Sequence, residues 1–190
     1  MPSDACIRGV GPCGATARRG LELCRAFWDV HVDPECAAAQ AASGRSKGLC
    51  LLGGTAAPHV STRVFVAQAQ FERAVLEAHF GMPASVTAST AGPGAKAPPG
   101  AAAFLAEWRR SLGAALKAAE GLAAGHGVFA PACMAGVSTS AHGPRVGGKD
   151  LPTALAEWYA TPPKRGGARP LVLVEPCEGK AAPLACNTAC

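Results

Sequence analysis

The sequence predicts an α/β protein built on a parallel sheet, with helices on both faces and disulfide staples. Three observations carry this. Apolar runs at 62–68 (TRVFVAQ), 127–130 (GVFA) and 171–175 (LVLVE) are short and largely continuous, as suits strands buried on both faces. Segments with helical spacing lie between them, and strands that alternate with helices form parallel sheets. Nine cysteines in 190 residues, with no C-x-x-C pair and no His at zinc-finger spacing, read as disulfides formed in an oxidising compartment. The count is odd, so at least one thiol is free or pairs outside the chain.

In chain order, 16–28 places Leu21, Cys24 and Trp28 on one helical face, although Gly20 weakens it. Residues 37–48 are small and polar and read as a loop. Phe71-Glu72-Arg73 sits just past the C-terminal end of the first strand, 62–68. Residues 83–103 are rich in Pro, Gly, Ser, Thr and Ala and read as an exposed, flexible connection. The clearest helix is 101–122. Leu105, Trp108, Leu112, Leu116 and Ala119 recur every three or four residues along it, and Glu107 and Arg110 are spaced to pair. The strand 127–130 leads through a Gly-rich loop to a helix at 151–159, then to the strand 171–175 and a cysteine-rich tail at 177–190. Trp108 and Trp158 sit at core spacing and read as packing residues.

Composition excludes several function classes. Hydrophobic residues make up 49% and charged residues 16%, so the chain is neither disordered nor highly charged. With 5% aromatics, its core must rest on Leu, Val and Ala. The net charge of +5 is dispersed in isolated pairs such as Arg18-Arg19 and Lys164-Arg165. No basic stripe alternates with aromatics, so nucleic acid is not an expected partner. No apolar run reaches the roughly 18 residues needed to span a membrane. The opening residues, MPSDACIRGVGPC, contain no signal peptide. Disulfide-type usage without an export signal leads us to expect the later part of a longer secreted protein. Cys177, Cys186 and Cys190 imitate a metal cluster, but their spacing and the lack of a nearby His fit zinc poorly.

Five motifs stand in order: CLLGG from Cys50, RVFVAQAQFERAVL at 63–76, GVFAPAC at 127–133, LPTALAEW at 151–158 and ACNTAC at 185–190. In order, approximate spacing and cysteine register this series resembles the pectin acetylesterase/Notum family, specifically its C-terminal half. The resemblance implies a partial α/β-hydrolase-like fold over 1–190 and a secreted or cell-wall carboxylesterase. Plant members of that family deacetylate pectin, and the animal branch removes a palmitoleoyl group from Wnt proteins. The implied partner is therefore an acylated polysaccharide or acylated protein. The implied chemistry is that of a serine triad, which requires no cofactor and no metal. Cys177, Cys186 and Cys190 match tail cysteines of the family, which implies disulfide staples.

Carried over by position, the triad acid falls on Glu72, where the family has Asp; a Glu can also orient a histidine. The family's His falls on Gly136, which has no side chain to move a proton. The nucleophile belongs on a G-x-S-x-G elbow that is expected before the region resembled here; Gly136-Val137-Ser138-Thr139-Ser140 ends in Ser and follows the wrong strand. His142, in the same loop, is the one candidate substitute base. His31, His59, His79 and His126 fit no triad position and read as surface or partly packed residues. Two functions follow as expectations. One is a carboxylesterase that is incomplete and inactive on its own; the other is a degenerate, non-catalytic member that binds a glycan or an acylated partner.

Overall fold

The computed structural model describes residues 22–23, 26–27, 29–90, 97–118, 125–137, 143–161, 171–176 and 186–187. The chain divides into two compact units, Pro2–Thr62 and Arg63–Cys190. The expected helix at 16–28 lies largely outside the described residues.

In the first unit, helix α1 (Pro34–Ala42) occupies much of the segment expected to be a loop at 37–48. Its start is fixed by Asp33, whose carboxylate accepts the Cys36 N–H at 2.9 Å, and by Pro34 in the first turn. The small, polar composition concealed an ordinary capped helix, because alanine is the best helix former and needs no long side chain to be one. A 3-10 turn (Lys47–Leu51) and a single helical turn, α2 (Gly53–Ala56), follow. A disulfide joins buried Cys36 on α1 to Cys50 on the 3-10 turn. Staples are therefore present as expected; Cys133 and Cys186 are also disulfide-bonded.

The second unit runs β1 (Phe65–Ala67), α3 (Arg73–Phe80), α4 (Ala84–Ser89), α5 (Pro99–Ala118), β2 (Gly127–Ala130), α6 (Leu151–Ala160) and β3 (Leu171–Val174). The strands form a parallel sheet in the order β1-β2-β3. Successive strand side chains point to opposite faces, so each strand feeds two cores. On one face Phe65, Phe129, Leu171 and Leu173 pack with Leu151 and Ala154 of α6. On the other, Val66, Val128, Ala130, Val172 and Val174 pack with Leu112 and Leu116 of α5. Helices thus cover both faces, as the sequence predicts. Burying a side chain such as Phe129 fully contributes about 1.5–3 kcal/mol relative to leaving it exposed. The steps from β1 to β2 and from β2 to β3 run the same way across the sheet, yet α5 and α6 lie on opposite faces. The two crossovers are therefore of opposite hand, a departure from the right-handed rule.

Elsewhere the structure corrects the expectations. The segment 83–103 is not simply an exposed connection: α4 lies within it, α5 begins at Pro99, and Thr87 and Thr90 are fully buried. Each threonine hydroxyl donates to a carbonyl three or four residues back (Thr87 to Ala84, 3.1 Å; Thr90 to Val86, 2.9 Å). A locally satisfied hydroxyl can be buried at little cost, which composition alone does not register. Glu107 pairs with Arg110 as its spacing predicts. Trp108 packs edge-on against Phe80 at 4.7 Å and donates its indole N–H to the Gln70 carbonyl.

His126 is buried (3% exposed), not a surface or partly packed residue. Its Nδ1 accepts the Val64 N–H at 3.0 Å, so Nε2 carries the proton, and it has no partner among the described residues. The neighbouring Gly127 is required by close approach. A Cβ there would lie 2.3 Å from the Phe65 ring and 2.8 Å from that of Trp158. Those rings pack at 5.3 Å, and Arg63 lies over the Trp158 ring at 4.4 Å.

Candidate functional site

Open α/β sheets place ligands beyond the C-terminal ends of their strands, and the sequence candidates with described side chains gather there. Pairing continues past β1 into the loops. The N–H groups of Gln68, Gln70, Phe71 and Arg73 donate to the carbonyls of Phe129 (3.0 Å), Pro131 (2.9 Å), Cys133 (3.1 Å) and Met134 (2.9 Å). This backbone ladder fixes Glu72 beside the segment 133–136. Buried Phe71 and Leu76 anchor it from either side, and Glu72 is the residue from which α3 starts.

The half-buried Glu72 carboxylate takes no part in capping α3. Its Oε2 accepts the Gln68 Nε2–H at 2.6 Å. Its Oε1 faces Gly136: a Cβ built on Gly136 would lie 4.0 Å from that oxygen and, among the described residues, within 4 Å of nothing else outside its immediate chain neighbours. Gly136 does not have the positive φ that favours glycine, so its backbone accepts a side chain without strain. The structure therefore brings together the two positions singled out from sequence, Glu72 and Gly136. His142, the candidate substitute base, lies outside the described residues, as do Ser138, Thr139 and Ser140 of the elbow lookalike and the tail cysteines Cys177 and Cys190. Among the described residues no cluster of His, Cys, Asp and Glu is arranged to hold a metal ion.

Sequence reasoning missed a second strand-end carboxylate. Glu175, just past β3, accepts the Ala132 N–H at 2.9 Å and the Asn187 side-chain N–H at 2.8 Å through Oε2. Asn187 also donates to the Arg145 carbonyl at 2.9 Å, so this carboxylate joins the loop after β2, the loop before α6 and the C-terminal tail. Buried Gln70 completes the end of the sheet. Its Nε2 donates to the carbonyls of Ala130 and Glu175, and its Oε1 accepts from Arg109 of α5 at 3.2 Å. The available signal was positional: LVLVE, like FVAQAQFE, ends an apolar run in a glutamate.

Chemically, Glu72 can accept an N–H from a cationic or imidazole group placed near position 136, and can orient it. Among the described residues no helix is long and apolar enough to cross a membrane. No protein-family model, no curated protein and no solved structure matches this chain.

Proposed function

We propose that this chain is a carboxylic ester hydrolase scaffold of the pectin acetylesterase/Notum type, one that keeps the acid position of the triad and lacks its base. The observation that carries the proposal is the placement of Glu72 Oε1, 4.0 Å from where a side chain at position 136 would begin. In a serine triad the carboxylate receives one imidazole N–H while the other imidazole nitrogen takes the proton of the attacking hydroxyl. Here the carboxylate stands at a strand end facing a glycine, and the G-x-S-x-G pentapeptide Gly44–Gly48 follows the helix Pro34–Ala42, not a strand, with the Ser46 hydroxyl accepting the Gly48 N–H as the cap of a 3-10 turn. The parallel sheet covered on both faces and the disulfides support the same reading. The implied substrate class is an O-acyl ester on a polysaccharide or a protein, and the implied setting is secreted or cell-wall.

The test is hydrolysis of p-nitrophenyl acetate and of acetylated pectin by the purified chain, with fluorophosphonate labelling in parallel. No turnover above buffer and no labelled serine are expected. Turnover that is lost on His142→Ala would overturn the proposal, because the loop would then supply a working base.

A further inference from the structure

We infer that Gln68 is a positioning residue: it holds one oxygen of Glu72 so that the other is presented to position 136. The inference rests on the acid role proposed for Glu72. A glutamate has one more rotatable bond than an aspartate, so a fixed direction for its carboxylate needs a tether. Gln68 supplies one. Its own main chain is locked by the N–H bond to the Phe129 carbonyl. Its amide nitrogen has two hydrogens, and both are used, toward Glu72 Oε2 at 2.6 Å and the Ala69 carbonyl at 3.1 Å. The donor is therefore held in place before any ligand arrives.

The neutrality of this donor matters. An arginine would engage both carboxylate oxygens at once and compensate their charge. An amide engages one oxygen and adds no charge of its own, with Oε1 free of donors among the described residues. The nearest cation in sequence, Arg73, is directed to Glu77 at 3.4 Å instead. With α3 making no capping demand on the carboxylate, Gln68 is the only described side chain that sets its direction.

The experiment places an imidazole at the facing position with Gly136→His and follows its titration by NMR. The titration midpoint is expected about 1 unit or more above that of the double variant Gly136→His/Glu72→Gln, as for an imidazole beside a carboxylate. Adding Gln68→Met to Gly136→His, which keeps the side chain's length and removes the donor, is expected to remove at least half of that elevation. A midpoint indifferent to Glu72 overturns the acid assignment and this inference with it. A midpoint that depends on Glu72 but not on Gln68 overturns this inference alone. If Gly136→His does not fold, exchange of the Gln68 side-chain amide protons in the unaltered chain decides the matter. Exchange should be slow there and fast in Glu72→Gln, and equal rates in the two overturn the inference.

Discussion

Gly127→Ala is the sharpest test of how the sheet is assembled. Gly127 lies in the central strand, with Phe65 and Leu171 as its register partners on either side. A methyl group there would sit 2.3 Å from Phe65 Cδ2 and 2.8 Å from Trp158 Cδ1. Ordinary carbon contacts lie at about 3.5–4.0 Å, so the Phe65 ring must retreat by more than about 1 Å. It has little room, because Trp158 packs against it and Trp158 is held in turn by its N–H bond to the Gly125 carbonyl (2.9 Å) and by Arg63. Overpacking of this kind costs about 1–3 kcal/mol. Alanine recovers about 0.5–1 kcal/mol because glycine loses more backbone entropy on folding. The expected net effect is a destabilisation on the order of 1–2 kcal/mol. Gly113→Ala, in α5 with nothing within 4 Å of its Cβ position among the described residues, isolates the entropy term and should stabilise by up to about 1 kcal/mol. Urea denaturation followed by tryptophan fluorescence measures both. If Gly127→Ala raises stability as Gly113→Ala does, the packing of Phe65 and Trp158 over Gly127 is wrong.

Gln70→Met should cost about 1–3 kcal/mol in the same assay, because it removes the side-chain donor to the Glu175 carbonyl, while the Ala130 carbonyl keeps the Glu175 N–H; a loss below the error of the measurement would count against the network. Replacing Cys36 and Cys50 together by Ala opens a closure of 14 residues and should cost about 3 kcal/mol, read as lost amide-exchange protection in 34–51; unchanged protection would show the bond to be energetically idle. The hydroxyl and backbone N–H of Thr153 hold the Asp150 carboxyl below its ordinary value of 3.8, so its contribution to the start of α6 is present above that pH and is lost as the pH falls through the lowered value. The Thr153 amide resonance should titrate below that value in the unaltered chain and not in Asp150→Asn, which keeps a capping oxygen; identical behaviour in the two refutes the cap.

What was legible in the sequence follows from what each signal physically encodes. The strands at 62–68, 127–130 and 171–175 were readable because a strand covered on both faces needs apolar residues at every position, and the observed strands fall inside those runs. The long helix was readable because its inner stripe repeats; Leu105 and Leu116 are buried where the spacing put them. The helices at Pro34–Ala42 and Ala84–Ser89 were not read, because Ala, Ser and Thr produce no contrast between faces. Their signals were local, as in the Asp33-Pro34 start. The burial of His126 was invisible for another reason: its environment is made by Val64, 62 residues away in the chain. Likewise, no residue pattern states which face a crossover helix will cover.

The candidate site divides along the same line. Glu72 was singled out because the resemblance puts the triad acid at that position, just past the run at 62–68. Gln68 and Glu175 could not be given roles, since both depend on hydrogen bonds that exist only after folding. Gly136 is the instructive residue. A glycine in a loop is often there because the backbone requires it, and that would make its lack of a side chain incidental to chemistry. At this position φ is not positive, and among the described residues only Glu72 Oε1 comes within 4 Å of where a Cβ would lie, so none of them demands glycine by crowding. Under the proposed function, the bare position opposite Glu72 is then a feature of the site, with a carboxylate tethered by one oxygen and its other oxygen directed at it. That combination leaves Glu72 able to orient an imidazole placed opposite it, and without one in the residues described.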